Sequence, residues 1–139
     1  MEIEIDGLKD LPKVASQLIS ELPLNTVWAF EGEMGAGKTT LVLEILKQLG
    51  VQGAEGSPTY SLVNAYEGTK VDQVFHFDLF RVEEIEEALD MGIEEMIYDD
   101  ALCLVEWPKK VEQLLPEETI WLYLSIKEGT HFRILRYNT

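Results

Sequence analysis

Apolar and polar residues alternate over Met1–Asp6, which predicts a half-buried strand. From Leu8 to Leu22 the period changes: Leu11, Val14, Ala15, Leu18, Ile19 and Leu22 share one stripe, predicting an amphipathic helix ended by Pro23. The β-branched and aromatic run Thr26–Phe30 reads as a strand, and Thr39–Leu49 as a second helix stopped by Gly50. Residues 53–59 are a loop by composition. Ser61–Tyr66 and Val74–Asp78 read as strands around a turn at 67–70. Glu83–Met91 predicts an acidic helix closed by Gly92, and Ala101–Val105 is apolar without interruption, the pattern of a strand covered on both faces. Two more strands, Thr119–Ile126 and Phe132–Arg136, are joined by Glu128-Gly129-Thr130. Strands alternating with helices, without a repeat or linker, predict one α/β domain over residues 1–139.

Between the strand Thr26–Phe30 and the helix Thr39–Leu49 stands Gly32-Glu33-Met34-Gly35-Ala36-Gly37-Lys38-Thr39, a full match to G-x-x-x-x-G-K-[ST]. The glycines let backbone N–H groups approach phosphate oxygens at a helix N-terminus, where the helix dipole favours negative charge. Lys38 then supplies a point charge to the β- and γ-phosphates, and the Thr39 hydroxyl is placed to ligate Mg²⁺. The chain therefore reads first as a nucleotide-binding protein.

Composition narrows the setting. At 139 residues there is little room for a lid or substrate domain beside a nucleotide core. Eleven Lys and Arg against 26 Asp and Glu leave a net charge of −15, which opposes independent attachment to nucleic acid or an anionic membrane. If RNA is involved, a partner holds it. The single Cys103 excludes an intrachain disulfide and reads as a small core residue of a cytoplasmic protein. No apolar stretch has transmembrane length, and Met1–Asp6 lacks the basic and apolar regions of a signal peptide.

Three further constellations suit nucleotide chemistry. Glu106, at the end of the apolar run and before Trp107-Pro108, puts a carboxylate where ligands sit in open α/β sheets and where a second Mg²⁺ contact is needed. Trp107 beside it reads either as a neighbour of base or sugar or as a core ring. In Phe75-His76-Phe77-Asp78 the rings of Phe75 and Phe77 share the face that packs inward, leaving His76 and Asp78 at a polar edge. Asp78 is then a candidate to orient or deprotonate water, or to join the metal shell, and His76 a hydrogen-bonded structural imidazole. Ser57-Pro58-Thr59-Tyr60 forms an ordered loop in which Thr59 is able to sense a γ-phosphate or metal, or simply to cap a turn. The acidic run Glu83, Glu84, Glu86, Glu87 and Asp90 is a solvated helix face or a docking surface for a basic partner.

Taken in order and spacing, Gly32–Thr39, Ser57–Tyr66, His76–Arg81, the acidic stretch running to Glu95, and Leu104–Pro108 resemble the TsaE family, also called YjeE, over roughly residues 26–110. The resemblance implies an α/β fold like that of P-loop NTPases, its central sheet mainly parallel with antiparallel strands at the edge. It implies ATP and ADP as ligands, Mg²⁺, slow hydrolysis, and work with TsaD and TsaB in forming N6-threonylcarbamoyladenosine in tRNAs that read codons starting with A. By position, it gives nucleotide contacts to Glu33, Met34, Gly35, Ala36, Gly37, Lys38, Thr39, Thr40 and Trp107 and metal contacts to Thr39 and Glu106. Catalytic roles fall to Lys38, Asp78 and Thr59. Phe80 stands where Tyr is usual, the helix Leu8–Leu22 lacks the family's Thr and Gly near its start, and Gly129–Arg133 matches a Gly-Arg segment only loosely, so neither adenine contacts nor a role for Arg133 follow. A small-molecule or nucleotide kinase would use the same loop, but only Arg81, Arg133 and Arg136 are available to clamp a transferring phosphoryl group.

Overall fold

A computed structural model of the chain describes residues 1–54 and 62–138. Seven strands among the described residues form one sheet: β1 (Glu2–Ile5), β2 (Val27–Glu31), β3 (Val63–Tyr66), β4 (Val74–Asp78), β5 (Leu102–Glu106), β6 (Ile120–Ile126) and β7 (Arg133–Tyr137). The order is β1-β7-β6-β2-β5-β4-β3. The central neighbours β6, β2, β5 and β4 run parallel, while β1–β7, β7–β6 and β4–β3 are antiparallel. The expected parallel centre with antiparallel edges is thus present.

Alternation along the central strands assigns side chains to two layers. Trp28, Phe30, Leu102, Leu104 and Leu122 join one cluster with Val14, Leu18, Leu41, Val42 and Ile45 of helices α1 (Leu11–Glu21) and α2 (Lys38–Gln48). Val27, Phe75, Phe77, Cys103 and Val105 point the other way, onto Ala88 of α3 (Ile85–Asp90), Ile93 and Ile97 of α4 (Ile93–Ile97), and Val111 of a 3-10 segment, Pro108–Leu114. All five residues of β5 are buried, which explains why that stretch of sequence shows no polar alternation. No helix among the described residues is long and apolar enough to cross a membrane.

Several local boundaries differ from the sequence reading. The first helix begins at Leu11, after a 3-10 turn at Leu8–Asp10, because Pro12 fits the first turn and Asp10 is held by its carboxylate, which accepts from the Asp6 N–H at 2.8 Å. Leu8, assigned to the helix, is exposed. The acidic helix starts at Ile85, with the Glu84 N–H donating to Glu87 Oε1 at 3.3 Å, a capping arrangement that marks its true N-terminus. Gly92, at φ 86°, ends that helix and opens α4, five residues that are too short to carry a period. The expected loop from Glu55 onward and the start of the Ser61–Tyr66 strand lie outside the described residues.

Cys103 is fully buried, and burial first, with the charge of Asp99 second, pushes its thiol up to about 12. The native protein should therefore resist a maleimide or disulfide reagent at neutral pH and react with one equivalent once unfolded in guanidinium. Fast labelling of the folded protein would show that β5 is not sealed on the α4 side.

Candidate functional site

The central strand β2 has β5 on one side and β6 on the other, so the loop leaving its carboxyl end emerges at the switch in chain direction around the sheet, the place where open α/β sheets form a crevice. That loop is residues 32–37, and α2 begins immediately afterwards at Lys38. Gly37 takes φ 99°, a left-handed conformation that turns the chain into the helix. Gly32 is required for a different reason: a Cβ there would meet the carbonyl oxygen of Leu124 on β6 at 2.4 Å. The Ala36 N–H closes the turn on the Glu33 carbonyl at 3.1 Å.

One wall of the resulting cleft is this loop and α2; the other is the carboxyl ends of β4 and β5. Met34, Gly35, Gly37, Lys38, Thr39, Thr40, Asp78, Phe80, Glu106 and Trp107 line a cavity of about 400 Å³. Apart from Phe80, these are sequence candidates from three separate stretches of the chain, residues 34–40, Asp78 and residues 106–107, brought to one place. Ala36 is buried on the other side of the loop, and the Glu33 side chain is exposed. Thr59 lies outside the described residues.

Within the cleft the side chains make specific contacts. Asp78 and Glu106 are register partners on adjacent parallel strands. Thr39 Oγ1 donates to Glu106 Oε1 at 2.6 Å, and the other carboxylate oxygen, Oε2, meets His76 Nε2 at 2.6 Å. The Lys38 ammonium donates to the Gly32 carbonyl and stands 3.4 Å from the centre of the Trp107 ring, a cation–π contact. Burial pushes the Lys38 pKa down, against the opposing pull of Glu106, Glu31 and Asp78. Trp107 itself has φ 59° and ψ 50°, a left-handed backbone that costs a bulky residue roughly 1–3 kcal/mol. Its ring packs at 5.0 Å on Phe80. Asp78 Oδ1 accepts from the Phe80 N–H at 3.1 Å, so the aspartate is fixed by the turn that follows its own strand.

The donor set fits Mg²⁺. Thr39 and Glu106 offer a hydroxyl and a carboxylate, hard oxygen ligands, and Mg²⁺ in nucleotide sites is held by one or two such groups together with phosphate oxygens rather than by a complete protein cage.

Two outcomes depart from expectation. His76 is not at a polar edge: it is fully buried, because β4 lies inside the sheet and the face opposite Phe75 and Phe77 is covered as well. Arg133, for which no role followed, reaches the loop from β7, with its guanidinium donating to the Gly35 carbonyl at 3.4 Å and to the His131 carbonyl at 2.8 Å. Arg133 and His131 help line a second cavity of about 280 Å³ on the far side of the loop, walled also by Gly7, Leu8, Leu11 and Leu124. The signal of it in the sequence was the loosely matching segment 129–133.

The family profile described as "Threonylcarbamoyl adenosine biosynthesis protein TsaE" matches residues 5–134. Among curated relatives, a tRNA threonylcarbamoyladenosine biosynthesis protein TsaE of Haemophilus influenzae is 44% identical over 64% of this chain and 56% of its own length. The proteins of that name from Treponema pallidum and Bacillus subtilis are 32% and 34% identical, over 81% and 71% of this chain and 80% and 61% of theirs. The match thus spans little more than half of the Haemophilus protein. The crystal structure of Bacillus subtilis YdiB superposes with a TM-score of 0.77 over 99% of this chain and 83% of that one, at 22% identity, a likeness of fold. With the family profile matched over nearly its whole length, the chain belongs to the TsaE family.

Proposed function

We propose that this chain binds ATP with Mg²⁺, hydrolyses it slowly, and acts in the cytoplasm with TsaD and TsaB in forming threonylcarbamoyladenosine in tRNA. ATP turnover resets the partner complex. The observation that carries the nucleotide chemistry is the convergence of Lys38, Thr39, Asp78 and Glu106 on one cleft at the mouth of the phosphate-binding loop. The name borne by the curated relatives supports the pathway, and the net charge of −15 supports a partner, rather than this chain, as the holder of tRNA.

In this reading the loop N–H groups and Lys38 hold the phosphates, Thr39 and Glu106 hold the metal, and Asp78 orients the attacking water or accepts its proton. Bound Mg²⁺ would neutralise charge on the β- and γ-phosphate oxygens. Glu33, Met34, Gly35, Ala36, Gly37 and Thr40 line the phosphate path, with Trp107 beside the nucleotide. The switch-like part given to Thr59 belongs to the same proposal. The base occupies the 280 Å³ cavity, whose apolar wall of Leu8, Leu11 and Leu124 suits a purine face and whose His131 and Arg133 supply polar contacts at the rim.

Calorimetric titration with Mg·ATP and Mg·GTP tests this reading. Saturable binding of one ATP per chain, tighter than GTP, is the expected result; no ATP binding would contradict it. Leu11→Glu sets a carboxylate against the base and should weaken ATP binding about tenfold, or ~1.4 kcal/mol. Unchanged affinity in that variant would move the base elsewhere. Formation of ADP without free phosphate in the presence of a small acceptor would instead favour a kinase.

A further inference from the structure

We infer that His76 is a positioning residue for Glu106: it holds one carboxylate oxygen from the buried side so that the other is presented to Thr39 and, on the reading above, to Mg²⁺. The inference rests on that reading of the cleft.

His76 sits in β4 between Val74 and Asp78, opposite Leu104 on β5, and its ring is fully buried on the strand face shared with Val74, which joins the cluster of α1 and α2. An imidazole in such a place costs free energy unless its nitrogens are hydrogen-bonded, and an apolar side chain would fill the volume without that cost. Nε2 has one strong partner, Glu106 Oε2 at 2.6 Å, whereas Nδ1 has none among the described residues. Among the described residues a hydrogen on Nδ1 would have no acceptor, whereas one on Nε2 is donated to the carboxylate. Glu106 is itself only 2% exposed.

The two oxygens of Glu106 are thereby assigned different tasks. Oε2 is fixed to His76, and Oε1 accepts from the Thr39 hydroxyl at 2.6 Å. A glutamate side chain free to rotate would share itself among several orientations, and each would lower the fraction ready to meet a cation beside Thr39. The contact is the reverse of the familiar case in which a carboxylate orients a metal-bound imidazole; here the imidazole orients the carboxylate. His76 touches neither nucleotide nor metal in this arrangement, so its effect should fall on metal dependence and not on nucleotide affinity as such.

The test compares His76→Leu, His76→Asn and His76→Gln with the unaltered protein. ADP affinity is measured by calorimetry in EDTA and across a Mg²⁺ series, and each variant's melting temperature is recorded. The Gln amide reaches about as far as Nε2 and can still donate to Glu106, while the Asn amide reaches only as far as Nδ1. The expected result is a Mg²⁺ midpoint raised about 10–100-fold for Leu and Asn and raised no more than ~3-fold for Gln, with equal ADP affinity in EDTA throughout. If the unaltered protein binds ADP with a Mg²⁺ midpoint and all three variants share it, the inference is overturned while the reading of the cleft stands. Equal losses with and without Mg²⁺, following melting temperature, would make His76 a plain core residue and also overturn it. Failure of the unaltered protein to bind ADP would overturn both.

Discussion

Lys38→Ala is expected to lower the rate of ATP hydrolysis by about 10³-fold or more, the scale at which removing a fixed cation from transferring phosphoryl oxygens acts. The side chain is 5% exposed and rests on the Gly32 carbonyl and the face of Trp107, which on the proposed reading stand where phosphate would be met. Both are weaker partners for an ammonium than a triphosphate is, and burial already pushes the Lys38 pKa down, so an arriving anion would reverse an unfavourable desolvation. The gain is concentrated where charge grows as the γ-phosphoryl group departs, which is why the loss should exceed that in ADP binding. Steady-state phosphate release with the melting temperature as control separates the effect from unfolding. Turnover unchanged in a folded variant would remove the assignment of the loop as a catalytic site.

Asp78→Asn should reduce turnover by about 10²–10⁴-fold while leaving ATP affinity within a few-fold, the signature of a group that acts on the reacting water. Asn keeps the volume and can still accept from the Phe80 N–H, which now holds Oδ1 at 3.1 Å, but it cannot take up a proton. An equal loss in ATP affinity would shift Asp78 toward the metal shell, and an unaffected rate would exclude it from the chemistry. Single-turnover measurements at saturating Mg·ATP provide the comparison.

Features that depend on local spacing were legible in the amino-acid order. Gly32, Gly37, Lys38 and Thr39 act within one loop and the first turn of a helix, so their pattern survives without knowledge of the rest of the chain. Glu106 was found because β5 is buried on both faces and ends abruptly in a carboxylate. What escaped depends on distant pairing. The second cavity exists because β1 pairs with β7, bringing Gly7 and Leu8 beside His131 and Arg133 from the opposite end of the chain. Leu8 fits the helical stripe in sequence, yet Pro12 delays the helix and leaves that residue exposed at the cavity wall.

His76 shows a subtler limit. The alternation that separates it from Phe75 and Phe77 was visible, but which face meets solvent depends on the strand's place in the sheet. β4 lies between β5 and β3, and the ring becomes a buried partner of Glu106. The short helix Ile93–Ile97 and the 3-10 segment Pro108–Leu114 were missed because neither is long enough to show a period.

Partner-gated hydrolysis is measured as phosphate release from ATP by the purified chain alone and after addition of TsaD and TsaB, with Lys38→Ala and Asp78→Asn as controls. A slow rate alone, a clear rise with the partners, and loss of both in each variant are the expected results. A rate that is absent under all conditions, or that persists in both variants, would contradict partner-gated hydrolysis.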